Sequence, residues 1–415
     1  MLKLNLIKRI SGYTFISIIV GGTSFLLLPI LTHYLLPEDY GVLSIFNAST
    51  RFFVALIPLG MGNLLLVYLI DRKNEYPAYL SSFVRITFAI SVLFSLIISI
   101  AHLFISDFFG LPTTLAILLP LIALFVVYYE TITGYFIYLK KFNQYAKFTL
   151  IKFFVEILLV IALVIVIPLN WEGRVSSLII SLVLIVSWGF YFFKKYKILD
   201  FKSGNLDYSK ELIKKGFPLI FMGIAIMVME LSDRFFIEYF VGLEETGYYG
   251  IASAISSVFF MVIVASMNVL RPIIYSEIKQ GESQNKINLL TFRYILGLLL
   301  FAIFLYLASP FFFDYLISQN FIPAKRLSIP LIWSVFFWGV YSYFTSFFLY
   351  FNYTRIIGSL SVVGILTNLI LNYYLVLHYG TIGAAYSTLI TYFVMSSGLY
   401  ILYIIFFKIK DPKIV

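Results

Sequence analysis

Of the chain's 415 residues, 61% are hydrophobic and only 12% charged, and the mean hydropathy is +0.97; this mix excludes an ordinary soluble domain and describes an integral membrane protein. There is no cysteine, so disulfides, thiolate metal sites and cysteine nucleophiles are excluded. Three scattered histidines, His33, His102 and His378, lack helical partners of ligand type, and no phosphate-loop, dinucleotide, zinc-protease or serine-hydrolase motif occurs, so neither an enzyme nor a protein metal site is indicated.

In chain order, windows of about 19 residues, enough to cross a hydrocarbon core of about 30 Å, pick out about twelve apolar spans. The first runs from about Tyr13 to Leu36 behind a basic start and has no short apolar core followed by a cleavage site, so it reads as a retained helix. Polar breaks then fall at Pro37, Asp71, Ser106, Lys140, Asn170, the long basic stretch from Lys194, Gly242, Lys279, Ser318, Asn352 and His378. With the amino terminus in the cytoplasm, 21 of the 30 basic residues lie on the cytoplasmic side and three (Arg174, Lys325, Arg326) outside. Both termini are then cytoplasmic. The net charge of +10 is therefore mostly topological and gives no reason to expect nucleic acid.

The chain repeats itself at an offset of 206 residues: "LIKR" at Leu6 returns as "LIKK" at Leu212, "EDYG" at Glu38 as "EETG" at Glu244, and Met61 as Met267. The expected fold is all-α, about twelve transmembrane helices in two pseudo-symmetric six-helix lobes around a central cleft. Residues 1–193 form the amino-terminal lobe, 194–215 a cytoplasmic basic linker and 216–415 the carboxy-terminal lobe. An even number of crossings per half relates the copies by a two-fold axis along the membrane normal. The linker's "LDYSKELIKK" end reads either as an amphipathic helix on the inner membrane surface or as a solvated tether.

Polar groups inside spans mark the candidate site, since each charge at a helix centre costs about 2.5–3.5 kcal/mol in lipid. In the seventh span Glu230, Asp233, Arg234 and Glu238 share one helical face. In the second, Ser44, Asn47 and Arg51 stack on one face, with Arg51 near the depth of Asp233, which invites a pair either across the cleft or purely structural. The eighth span has Ser253 and Ser257 at the repeat positions of Asn47 and Arg51, and Asn268 with Arg271 further along. The first contributes Ser17, Gly21 and Ser24 on a stripe, and Thr32 and His33 near its outer end. Glu130, Lys152 and Glu156 read as an intralobe network near the cytoplasmic side or as a transport element, while Arg85 and Arg293 sit near enough to span ends to snorkel.

"YLLPEDYGVLSIFNAS", "SDRFFIEYFVGLEETGYYGIASA" and "NLILNYYLVLHYGTIGAAYSTLIT" resemble the first-loop, seventh-span and eleventh-to-twelfth-span patterns of Wzx-type polysaccharide flippases of the multidrug/oligosaccharidyl-lipid/polysaccharide exporter superfamily. In the third stretch Asn368, Asn372, Gly380, Gly383, Ala384, Ala385 and Thr388 are the most specific, and its small residues would let the last two helices approach closely. The resemblance implies transfer of a prenyl-pyrophosphate-linked oligosaccharide from the inner to the outer leaflet of a bacterial cytoplasmic membrane, without enzymatic chemistry and without a cofactor. The substrate-binding set is Arg51, Asn47, Arg234, Arg271 and Asn268; the ion-coupling or gating set is Glu230, Asp233, Glu238 and Glu130, with a proton or sodium as the coupling ion. Implied partners are the lipid-linked oligosaccharide, membrane lipids, a glycan polymerase and other polysaccharide assembly proteins, the chain itself working as a monomer. The alternative is a cation-coupled exporter of small solutes or drugs. That drug-antiporter branch carries an acid in its first span, and here no acid precedes Glu38.

Overall fold

A computed structural model describes residue 16 and residues 23–102, 110–201, 204, 206–280, 284–351 and 353–409. Among them the secondary structure is helical and no strand occurs. The helices are α1 (Thr23–Tyr34), α2 (Pro37–Leu56), α3 (Met61–Asp71), α4 (Tyr76–Ala101), α5 (Thr113–Tyr138), α6 (Phe142–Val160) and α7 (Asn170–Lys195). They continue as α8 (Leu206–Phe240), α9 (Leu243–Lys279), α10 (Gln284–Phe311), α11 (Lys325–Tyr350), α12 (Thr354–Tyr379) and α13 (Thr381–Tyr403). Among the described residues nine helical stretches are long and apolar enough to cross a bilayer. The protein is a multi-pass membrane protein, as composition requires; α1, the α2–α3 segment and α8 lie outside those nine.

Two compact units emerge, one holding residues 42–227, the other residues 24–41 with 228–415. The start of α8 thus packs with the first unit, and residues 24–36 of the first span with the second.

Local chemistry sets the helix boundaries. Proline opens α2, where its missing N–H is no loss, and Asp39 accepts the Leu36 N–H (3.1 Å) while Glu38 and Asp39 face the positive end of the helix. The second span, expected as one helix, is two: Pro58, Leu59 (φ 46°) and Gly60 (φ 73°) break it between α2 and α3. Its repeat partner α9 has no such run and continues for 37 residues.

In the second unit the repeat becomes a physical contact. A Cβ on Gly41 would stand 2.7 Å from the carbonyl carbon of Leu243, and one on Gly247 would stand 3.0 Å from that of Pro37 and 3.1 Å from the Gly41 nitrogen. Gly41 and Gly247, like Pro37 and Leu243, are 206 residues apart, so the first turns of α2 and α9 cross reciprocally at a point with room for hydrogen only. Nearby, Arg326 grips Glu245 with two bonds of 2.6 and 2.8 Å.

The expected close approach of the last two helices is present: a Cβ on Gly383 would meet the Val376 nitrogen at 3.0 Å, and Ala384 and Ala385 are fully buried. Elsewhere this unit is cored by Phe259, Tyr343, Phe344, Phe347 and Tyr403, with Tyr294 stacked on Tyr343.

The stretch from Lys194 to Lys215 differs from both expected forms. Ser81 donates to the Asp200 carbonyl (2.6 Å), and Arg85, rather than snorkelling, donates to the carbonyls of Gly204 (3.0 Å) and Phe201. From Leu206 onward the chain is already α8, its first turns held by Glu211, which accepts from Tyr68 (3.1 Å), Tyr79, Arg72 (3.3 Å) and Lys215 (2.7 Å). Leu199 and Leu212 are buried beneath. Leading into the seventh span, these turns are neither a tether nor a separate surface helix.

Candidate functional site

In the first unit, the α2 face is partly as the spacing predicts: Asn47 and Arg51 are exposed on one side, while Ser44, a turn earlier, is buried. Arg51 lies 14 residues into α2, about 21 Å along its axis from the first turn. Its ion-pair partner is Glu130 of α5, at 3.5 Å, with both side chains more than half exposed (65% and 51%). Glu130 belongs to the same unit as Arg51, while Asp233, one of the expected partners, is held by groups of its own unit. Charges so exposed avoid hydrocarbon and are stable beside water.

Glu130 is correspondingly absent from the ion pairs of Glu156. That carboxylate, 2% exposed, is held by Lys152 and, at 2.8 Å, by Arg174 in the first turn of α7. Arg174 stands near the end of α7 opposite its lysines, so the network lies toward that end of the helix. It is a closed structural triad, with both cations largely buried.

In the second unit, the four charges on the seventh-span face do not act as one set. Asp233 turns into the helix packing and is 2% exposed. Its Oδ2 accepts from Tyr249 of α9 and Thr388 of α13 (2.7 Å), and its Oδ1 from Asn372 of α12 (2.6 Å). Around this carboxylate Asn372 also donates to Asn368 (3.1 Å), and Ser232 donates to the same Asn368 oxygen (2.9 Å). Burial of a lone carboxylate costs several kcal/mol unless its lone pairs are occupied, which explains why four helices each send a polar group here. Arg234, the next residue, leaves the cluster and places its guanidinium 5.7 Å from the Tyr249 ring centre. Glu238 is half-buried further along α8, and the side chain of Glu230 lies outside the described residues, as do Ser17, Gly21 and the Ser24 side chain.

Asp233 and Arg234 open onto a cavity of about 230 Å³ whose other polar walls include Ser253, Ser257 and Ser334. Farther along α9, Arg271 donates to Ser342 of α11 (3.3 Å) and Asn268 is exposed. Pro272 lacks the N–H that would bond the Asn268 carbonyl in a regular helix. His33 is an anchor: its Nδ1 is 2.7 Å from the Pro29 carbonyl.

The cluster can hold a small hard cation or a proton. Its donors are one carboxylate and the neutral oxygens of Asn, Ser, Thr and Tyr, the ligand type of alkali and alkaline-earth ions. The amide oxygen of Asn372 is buried without a partner among the described residues, which leaves one spare acceptor next to the carboxylate, while the unpartnered Asn368 amide nitrogen is a spare donor. No group of three or more His, Asp or Glu side chains that could hold a metal ion occurs among them.

Sequence reasoning names Asn368, Asn372 and Thr388 only as part of the most specific stretch of the resemblance, with no role at the site, and misses Tyr249 and Ser232. Spacing gave a usable signal for the first three: positions 368 and 372 share one face of α12 and 388 lies on the adjoining helix. Nothing in the spacing singles out Tyr249 from its neighbour Tyr248, whose hydroxyl bonds Glu244 instead.

Comparison with known proteins agrees with this architecture. No curated protein matches the sequence. The chain is similar in fold to a multidrug resistance MATE family transporter of the MOP superfamily in an inward-facing conformation, with TM-score 0.68 and 14% identity over 93% of each chain. It is similar also to the lipid II flippase MurJ in an inward closed conformation, with TM-score 0.69 and 17% identity over 95% of this chain and 87% of that one. A third, an outward-facing MATE family transporter, gives TM-score 0.54 and 16% identity over 95% of each chain. These fold neighbours are transporters and flippases, not enzymes. Residues 6–279 match the model of a family described as polysaccharide biosynthesis protein, and the chain belongs to that family.

Proposed function

We propose that this protein flips prenyl-pyrophosphate-linked oligosaccharide units from the inner to the outer leaflet of a bacterial cytoplasmic membrane by alternating access, with both termini in the cytoplasm. The observation that carries the reading is the exposed Asn47–Arg51 face of α2, a cationic, hydrogen-bonding surface that in a multi-pass membrane protein needs water. A pyrophosphate sugar requires such donors, and Arg234, Arg271 and Asn268 supply more, while its prenyl chain stays in lipid. Glu130 keeps Arg51 poised in the absence of the anion and yields when a pyrophosphate competes for the guanidinium.

The Asp233 cluster supports ion coupling. A sodium ion or proton neutralises the buried carboxylate and relaxes its hold on Tyr249, Asn372 and Thr388, which changes how α8, α9, α12 and α13 pack. Glu230 and Glu238 belong to this coupling or gating set by position. The chain works as a monomer and passes its product to a glycan polymerase or other polysaccharide assembly proteins.

The test replaces Arg51, Arg271, Asp233 and Glu230 one at a time and measures surface glycan at matched expression. Loss of glycan with lipid-linked units trapped in the inner leaflet supports the proposal; full activity of all four variants overturns the site. A cation-coupled exporter of small solutes draws on the same Asp233 cluster and on the small cavity beside it. Unchanged glycan with altered drug tolerance in a deletion strain would favour it.

A further inference from the structure

A separate recess of about 390 Å³ lies in the first unit between the first turns of α6 and the last turns of α7. Asn143, Gln144 and Lys147 of α6 form one wall, and Trp188, Tyr191 and Lys195 of α7 the other. Trp188 stacks on Phe148 (4.2 Å, 14°), and the Lys147 ammonium stands 5.3 Å from the Trp188 ring centre. Neither Lys147 nor Lys195 forms an ion pair among the described residues. The sequence explains why: six lysines (140, 141, 147, 194, 195 and 197) meet at this end, and no Asp or Glu occurs in residues 131–155 or 173–199.

Below the recess the same helix faces turn to hydrocarbon. Ile151, Phe154 and Leu158 follow Lys147 at helical spacing and are exposed, as is Leu184, one turn from Trp188. Lys147 lies about 8 Å from the start of α6 and Trp188 about 11 Å from the end of α7, the depth at which headgroups give way to acyl chains. Positive-inside bias accounts for lysines anywhere at this end; it does not account for a cavity walled by a stacked tryptophan with two lysines on its rim and apolar stripes beneath.

We propose that this recess binds an anionic glycerophospholipid, with the phosphodiester between Lys147 and Lys195, the glycerol or polar headgroup against Asn143 and Gln144, and the acyl chains along the stripes below. On the orientation given above, the lipid comes from the cytoplasmic leaflet. The site is distinct from the residues assigned to transport, so it stands or falls independently of the transported substrate.

The test uses the full chain, delipidated in a neutral detergent and titrated with phosphatidylglycerol, phosphatidylcholine and soluble glycerol 3-phosphate, with bound lipid counted by native mass spectrometry and thermal unfolding followed in parallel. Phosphatidylglycerol is expected to bind and stabilise, the other two to do so at least tenfold more weakly. Lys147→Gln with Lys195→Gln should weaken phosphatidylglycerol at least tenfold, Lys147→Arg with Lys195→Arg should retain it, and Lys140→Gln with Lys197→Gln, of equal net charge, should change it less than twofold. Equal loss in the two Gln pairs would reduce the effect to general charge attraction and overturn the site. Equal binding of phosphatidylcholine, or of glycerol 3-phosphate, would overturn the anionic or the lipid part of the proposal.

Discussion

Replacing Gly41 by alanine tests the reciprocal crossing of α2 and α9 directly. The new Cβ would lie 2.7 Å from the Leu243 carbonyl carbon, where ordinary contact begins near 3.4 Å, so the two backbones must part by the better part of an ångström. Neither neighbour is a flexible side chain, which places the strain toward the upper part of the roughly 1–3 kcal/mol range for overpacking. Alanine returns about 1 kcal/mol of helix propensity, leaving a net loss of about 1–2 kcal/mol. Gly247→Ala meets Pro37 in the same way and should lose a similar amount. Once one substitution has widened the crossing, however, the second finds part of its space made, so the double variant should be less destabilised than the sum by about 1 kcal/mol. Thermal or denaturant unfolding of the four proteins in detergent gives the cycle. Additivity within about 0.3 kcal/mol, or neutral single variants, would refute the reciprocal contact.

Glu156→Gln removes the carboxylate between Lys152 and Arg174 and leaves two largely buried cations uncompensated, so unfolding in detergent should show a loss of about 3–5 kcal/mol, with a smaller loss for the exposed Glu130→Gln. Asp233→Asn keeps the shape of the cluster and removes its charge; ion-dependent transport in vesicles should disappear while the chain still folds, and retention of ion dependence would count against the coupling role. Glu211, outside the membrane span, is held at about 2 by hydrogen bonds from Lys215 first, then Tyr79 and Tyr68, with Arg72 adding charge. Because that lies below its ordinary 4.5, the clamp's stabilising effect is complete above about pH 4.5 and fades as pH falls toward 2. The difference in unfolding temperature between wild type and Glu211→Gln should follow the same window, and a difference unchanged at pH 2 would refute it.

Much of the architecture could be read from composition and spacing, because a bilayer permits few ways to satisfy a backbone. Long apolar runs, the 206-residue repeat and the small residues near Gly383 each have one structural solution. The break at Pro58–Gly60 was hidden because it sits inside apolar sequence, where hydropathy registers no interruption. Pair partners were hidden for another reason. Arg51 has several carboxylates to choose from along the sequence, and one-dimensional spacing does not say which of them the fold brings within reach; it is Glu130. The docked basic stretch left no trace because Ser81 and Arg85 hold it through backbone carbonyls, which every sequence has.

The repeat doubles the architecture but not the charges, and this asymmetry bears on mechanism. In the register fixed by the Gly41–Gly247 crossing, Asp233 corresponds to Leu27 and Tyr249 to Leu43, both buried hydrocarbon, while Arg51 corresponds to Ser257 and Arg271 to Leu65. The first half therefore has no counterpart of the carboxylate–tyrosine pair, and the second has no cation where the first has Arg51. A pair of halves performing the same step would carry the same groups at equivalent positions. Instead the buried acid, with donors from three other helices of its unit, suits the proposed small ion, and the exposed arginine of the other suits the proposed anion. Position 27 is a buried leucine and position 43 carries no hydroxyl, so a single acid placed at 27 would lack the tyrosine that Asp233 has at the equivalent position, and one exchanged residue does not carry ion binding from one half to the other.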